Sequence, residues 1–367
     1  MKRLIGTVFI FAFAIIATPV ANASNVDVTI TEPTHRQSDG VFIDDGLVSL
    51  LTFDGRLGKL VFDPPRGDRT WFIDAQLIEE VKAMTEKYVL LGAKEGTGSE
   101  VAKSWLSQLD AITRGDHISA LPYGDPSDYW ISKLVPSQKN FYLELGAKRL
   151  TAVLGRQVSQ LTNFPISRSF AVESSTLQAF YKAQSILKLN SEYMKPDEIE
   201  RFQALCGSVF HPDLPSRHRT ILGFDLTTST QRLSNRIRLA PGRFTVTSTK
   251  QKLPITLIND FPNPAKVSIN VEASNGKVFV SSVPQIAVNG NSKLQVMIPV
   301  EVIASGKSSL VVTIYSDKNK VLGSKVSYPV TLKVISPIAT WITTGAGVIL
   351  FISALIKSFR RIRRKQT

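Results

Sequence analysis

Ile338-Ala-Thr-Trp-Ile-Thr-Thr-Gly-Ala-Gly-Val-Ile-Leu-Phe-Ile-Ser-Ala-Leu-Ile356 runs for nineteen residues without a charge, and Lys-Ser-Phe-Arg-Arg-Ile-Arg-Arg-Lys-Gln-Thr367 follows at once. A helix of that length spans roughly 28 Å, close to the hydrocarbon thickness of a bilayer. Its internal polar residues (Thr340, Thr343, Thr344, Ser353) are small and uncharged, as spanning helices tolerate. Gly345 and Gly347 would weaken a soluble helix, and Trp341 lies where an indole favours the headgroup layer. Residues 338–356 are therefore expected to form one transmembrane helix, with 357–367 as a basic cytoplasmic tail.

The opposite end agrees. Lys2 and Arg3 precede an apolar run from Leu4 to Ala17, and Ala21-Asn-Ala23 fits the small-x-small cleavage pattern of a signal peptide over residues 1–23. An uncleaved anchor would give the same topology. Residues 24 to about 335 are expected to be extracytoplasmic, which makes the protein a single-pass cell-membrane protein of the envelope. Of the formal charge of +14, the tail carries six cations and the amino-terminal region two, which leaves +6 for residues 24–356. That mild excess is not the footprint of a nucleic-acid binder. The single cysteine, Cys206, excludes an intramolecular disulfide and reads as a small buried hydrophobe.

Between the termini the pattern changes twice. Residues 24–69 read as lead-in strands and a linker: Val26, Val28 and Ile30 alternate with polar residues, and the apolar runs of 41–62 suggest small strands between turns. Over 70–235 short β-like runs (70–73, 88–91, 117–121, 170–172) alternate with amphipathic helices. That order predicts an α/β domain, a partial or degenerate β/α barrel or an open sheet, since about 165 residues is short for a closed barrel. Over 237–335 strict alternation returns, as in Val267-Ser-Ile-Asn-Val271 and Leu294-Gln-Val-Met-Ile-Pro-Val300. About seven strands in about 100 residues predict an all-β immunoglobulin-like sandwich.

Phe72-Ile-Asp-Ala-Gln-Leu77, Glu95-Gly-Thr-Gly98 before Trp105-Leu106, Leu121-Pro-Tyr-Gly-Asp-Pro126, Phe244-Thr-Val-Thr-Ser248 and Leu253-Pro-Ile-Thr-Leu-Ile-Asn259 together resemble the exported, single-span actinobacterial proteins of a family of unknown function. The resemblance covers roughly 70–160 and 237–367. Members of that family are often encoded near the lipid-linked peptidoglycan precursor flippase, which implies envelope work, and the family has no established activity to transfer. This chain is shorter than typical members.

Three residues are candidates for a ligand site. Asp74 and Asp125 follow predicted strands, at the edge where α/β sheets bind ligands, and Tyr123 beside Asp125 offers a ring and a hydroxyl to a sugar. A carboxylate pair could hydrolyse a glycoside; equally, Asp74 could cap a helix and Pro-Tyr-Gly-Asp-Pro could be a rigid turn. His211, Asp213 and His218 form the one compact metal-type cluster, but without a third firm ligand they read as loop, so no metal or cofactor is expected. No phosphate loop and no G-x-S-x-G elbow occurs. The expectation is a non-catalytic envelope protein that binds an envelope glycan or a membrane-protein partner. Its competitors are a hydrolase using Asp74 and Asp125, and a structural partner of peptidoglycan export machinery.

Overall fold

A computed structural model describes residues 25–167, 169–334 and 337–363. The signal-peptide expectation lies outside the described residues. So does the extreme tail, 364–367.

The amino-terminal half is built on four parallel strands in chain order: β1 (Val26–Ile30), β2 (Arg69–Ile73), then the strands at His117–Ala120 and Ser159–Gln160. Val28 sits opposite Trp71, Trp71 opposite Ile118, and Ser119 opposite Ser159. Between β1 and β2 lie α1 (Gly46–Leu51) and α2 (Arg56–Phe62). After β2 come α3 (Ala75–Met84), a hairpin of β3 (Val89–Leu90) and β4 (Lys94–Glu95), and α4 (Ser99–Ile112). The strand at His117–Ala120 is β5; α5 (Asp128–Leu134) and α6 (Lys139–Leu154) lead to β6 (Ser159–Gln160). Among the described residues β1 and β6 each have one partner strand, so the sheet is open rather than closed.

Two local expectations change here. Within 41–62, expected as small strands, residues 46–51 and 56–62 are helices and Phe42 makes only isolated bridges: Leu47 and Leu51, and Leu57 and Val61, recur at helical spacing and all four are buried in one core with Trp71 and Trp105. Tyr88–Leu91 contributes only the two-residue β3, which stands outside the parallel sheet. The alternation of 26–30 does mark a strand, and its register with β2 makes it the first strand of the α/β sheet.

Three helices follow: α7 (Ser174–Asn190), α8 (Pro196–Ser208) and α9 (Ser216–Ser234). Phe170–Val172, expected as strand, is loop. The helices lead into nine strands, β7 (Ile237–Leu239), β8 (Phe244–Val246), β9 (Lys250–Asn259), β10 (Ala265–Ala273), β11 (Val278–Val280), β12 (Val283–Val288), β13 (Ser292–Val302), β14 (Gly306–Ser316) and β15 (Val321–Leu332). They form two sheets, ordered β12-β10-β14-β15-β8 and β11-β13-β9-β7, antiparallel apart from the β15–β8 pair. Val296, Ile298, Val300 and Val302 point inward while Gln295, Met297, Pro299 and Glu301 face out, so the period-2 pattern is the burial pattern. The protein is thus a mixed helix and β fold whose second half is a two-sheet sandwich. The second hydrophobic core is continuous from Phe180, Phe202 and Leu226 of the helices to Ile255, Val267 and Val312 of the sheets.

The last helix, α10 (Pro337–Arg363), is 27 residues long. Every side chain described in it, 341–357, is exposed, Trp341 at 80 %. Among the described residues no helix is long and apolar enough to cross a membrane.

Candidate functional site

Parallel strands deliver their following loops to one edge, and here three of those loops meet. After β1 comes Thr31-Glu-Pro-Thr-His35, after β2 comes Asp74, and after β5 comes Leu121-Pro-Tyr-Gly-Asp-Pro126. The α8–α9 connection, with His211 and Asp213, lies against them.

Asp74 is fully buried. Its Oδ1 accepts from the N–H of Gln76 at 3.0 Å, capping α3, and from the N–H of Gly124 at 2.8 Å. Its Oδ2 has no protein partner among the described residues. Burial, and then the charge of nearby Asp125, push its carboxyl well above the usual range. Gly124 (φ 73°) and Asp125 (φ 40°) are successive left-handed residues, and the Asp125 N–H closes the turn on Pro122 O at 2.8 Å. Glycine and aspartate are the residue types that tolerate that backbone. The sequence thus brings Asp74 and Asp125 to one edge, and the cap and the turn are both real. A glycosidase needs both carboxyls within reach of substrate, and Asp74 has no exposed surface to offer.

Asp125 belongs to a relay the sequence did not disclose. His211 Nδ1 accepts from the Asp213 N–H at 3.1 Å, which leaves the ring proton on Nε2 to donate to Thr31 Oγ1 at 3.3 Å. The Thr31 hydroxyl in turn bonds Asp125. Burial raises Asp125 to about 6, against the Thr31 hydrogen bond. Burial lowers His211 to about 4, so it is neutral. Buried Arg219 holds this loop by donating to Val209 O, His211 O and Leu214 O.

A cleft of about 270 Å³ opens beside the edge, toward α8. Arg36, Gln76, Glu79, Tyr123, Arg149 and Glu200 are among its lining residues. The Tyr123 hydroxyl donates to Glu79 Oε2 at 2.7 Å, and burial with that carboxylate raises it well above the ordinary phenol. Arg149 lies 3.7 Å from Glu79 and 3.8 Å from Glu200, while its Nε has no partner among the described residues. Buried Glu80 accepts from the Thr34 hydroxyl and, at 3.0 Å, from the His35 N–H, which pins the β1 loop to α3. Burial carries Glu80 up to about 7 despite those bonds.

The His211, Asp213, His218 cluster does not form. His211 turns to Thr31, and Asp213 is exposed. His218 instead faces Asp44, Nε2 to Oδ2 at 2.7 Å, while His35 Nδ1 meets Asp44 Oδ1 at 2.9 Å. Both imidazoles are buried and their rings sit edge to face, 5.0 Å between centroids. Burial works against charging His35, but Glu32, Asp44 and Glu80 raise it to about 9. Asp44, despite burial, is held at about 2 by His35, the Gly46 N–H and His218. His35 and Asp44 gave no sequence signal beyond polarity, because His218 is 174 residues from Asp44. Cys206 is buried as expected, its thiol pushed up to about 12 by that burial.

The fold and this edge define a protein with an open α/β sheet, a three-helix connection and a β-sandwich. The chain belongs to a family of unknown function (DUF6049), whose sequence profile matches residues 162–366: α7–α9, the sandwich and α10, but not the parallel sheet. No curated protein matches the chain. Similar solved structures include native alpha-2-macroglobulin from Escherichia coli, from domain MG7 to its C-terminus, at 18% identity over 26% of this chain and 16% of that one, TM-score 0.22. WR4, an MSP family member from C. elegans, is 12% identical over 27% of this chain and 98% of its own, TM-score 0.21. The E. coli chaperone DraB is 14% identical over 26% and 54%, TM-score 0.22. This chain therefore spans well under two thirds of the macroglobulin structure it matches.

Proposed function

We propose that the protein is an extracytoplasmic envelope protein, held to the membrane by α10, whose cleft binds a hydroxyl-rich polar ligand, an envelope glycan. The cleft at the carboxyl edge of the sheet carries the reading. It combines the Tyr123 ring with carboxylate, amide and guanidinium groups on Glu79, Gln76, Arg36 and Arg149. Such planar groups hydrogen-bond vicinal hydroxyls in pairs. Catalysis is not part of the proposal, because Asp74 is shut in as a cap. Anchoring is supported by α10 itself. From 341 to 356 it has no charge and no side chain packed into a core, and an apolar helix exposed all round needs an apolar surrounding.

The test is retention of the full-length chain, in detergent, on purified peptidoglycan and on envelope polysaccharide. Retention should fall at least tenfold in Arg149→Ala and in Tyr123→Ala, with the circular-dichroism spectrum unchanged. Equal retention of wild type and both variants would remove the cleft as the site. If swapping α10 for an unrelated spanning sequence abolishes retention, the helix is more than an anchor.

A further inference from the structure

We infer that His35, Asp44 and His218 bind one divalent transition-metal cation of the zinc type. The ligand atoms, two imidazole nitrogens and one carboxylate, all lie within 4.8 Å of one another. Two imidazoles and a carboxylate are a donor set that suits Zn²⁺, Co²⁺ or Fe²⁺; a single carboxylate is too few hard oxygens for Ca²⁺. Metal–ligand bonds of about 2.1 Å set the ligand atoms of a tetrahedral site roughly 3.4 Å apart, so the 2.9 and 2.7 Å contacts of the two imidazoles with Asp44 must open as the cation enters. The three residues come from two separate pieces of chain, the β1–α1 loop and the first turn of α9, so the site exists only in the folded protein.

Three further observations favour a cation there. Carboxylates surround the site: Glu32, itself paired with Arg56, has its Oε1 3.9 Å from His35 Nε2, Asp45 adjoins Asp44, and Glu80 accepts from the His35 backbone. Glu32 stands on the far side of the His35 ring, where an outer carboxylate orients a ligating histidine. Asp44 is the open side. Its side chain is 34 % exposed while the histidines are 9 % and 7 %, so a cation can enter past the carboxylate and keep water on its remaining positions. Gly46 keeps that approach close: a Cβ there would stand 3.0 Å from Asp44 Oδ1 and 3.3 Å from His35 Cε1. On binding, the cation takes the place of the ring protons that Asp44 now accepts: a doubly protonated ring releases that proton to solvent, and a neutral ring keeps its one proton on the nitrogen facing away from the metal. His218 Nδ1 has no partner among the described residues, so His35, backed by Glu32, is the firmer ligand.

The experiment uses the full-length chain without a histidine tag, stripped with chelator and titrated with Zn²⁺ by calorimetry and with Co²⁺ by visible absorption. One cation per chain, with visible Co²⁺ bands that Zn²⁺ bleaches, is the expected result. Affinity should fall at least tenfold in His218→Gln and more steeply in His35→Gln. Glu32→Gln should cost about tenfold although it contacts no metal, and His117→Gln, an exposed histidine on β5, should change nothing. Absence of saturable binding by the wild type overturns the proposal whether or not the variants fold. So does wild-type affinity retained in folded His218→Gln. Failure here leaves the glycan cleft untouched, since its lining does not include His35, Asp44 or His218.

Discussion

Asp125 shows how one side chain sets a pH dependence. Its raised pKa, about 6, means that between about pH 4 and 6 the folded chain holds a proton the unfolded chain has released. Stability is therefore lost as pH rises through that window and stays lower above it. Asp125→Asn removes this penalty and keeps an acceptor for Thr31, and asparagine tolerates φ 40°. We expect the variant to be more stable than wild type by on the order of 1–3 kcal/mol at pH 8, with the difference closing toward pH 4, as read from urea midpoints. His211 acts in the opposite sense. Its lowered pKa, about 4, makes stability fall as pH drops below 6.5, and that acid limb should survive in the variant. An equal gain at both pH values would mean that Asp125 is not the titrating group. Asp74 and Asp125 could be found in the sequence because Asp74 follows one short β-like run directly and Asp125 lies in the Pro-Tyr-Gly-Asp-Pro turn that ends another. The Asp44 clamp could not: its two imidazoles approach from 9 residues before it and 174 after it.

Among the elements, α6 lies tight against the turn that carries Tyr123. Gly146 faces the exit of β5, and a Cβ there would lie 2.1 Å from Leu121 O and 3.2 Å from the Tyr123 nitrogen. The Tyr123 N–H meanwhile donates to Tyr142 O at 2.9 Å, one turn earlier on the same helix. Gly146→Ala must push α6 off the turn that carries Tyr123. Overpacking of this kind costs about 1–3 kcal/mol, and the variant should lose that much in denaturant melts together with glycan retention. A melt within about 0.5 kcal/mol of wild type would show that the helix can shift freely. The strands of the sandwich were legible because each has one wet face and one dry face, so hydrophobicity alternates with period two. Residues 41–62 were not. Their apolar runs are six or seven residues long and fit a strand as well as a helix, and only packing under α4 decides. Tyr88–Leu91 misled for a related reason: its apolar residues face a local hairpin and Phe42 rather than the central sheet.

For the whole molecule, the proposed anchoring by α10 decides on which side of a membrane each module would lie. The sandwich is continuous in core with α7–α9, and α10 follows β15 after four residues. With α10 in the bilayer and its arginines in the cytoplasm, the sheet, cleft and sandwich all lie outside. Protease added to intact spheroplasts should digest the chain from 24 to about 335 and protect the basic tail. Sparing of the body with trimming of the last arginines would reverse the orientation and end the envelope assignment.

Helix α9 ties these parts to one another. Near its start His218 is clamped to Asp44; at mid-length Asp225 accepts both the N–H and the hydroxyl of Ser38 at 2.7 Å; after its last turn only Asn235 and Arg236 precede β7. At about 1.5 Å per residue its nineteen residues make a strut roughly 28 Å long. Only two residues separate α9 from β7, so turning the sandwich against the sheet would load the His218–Asp44 and Asp225–Ser38 bonds directly.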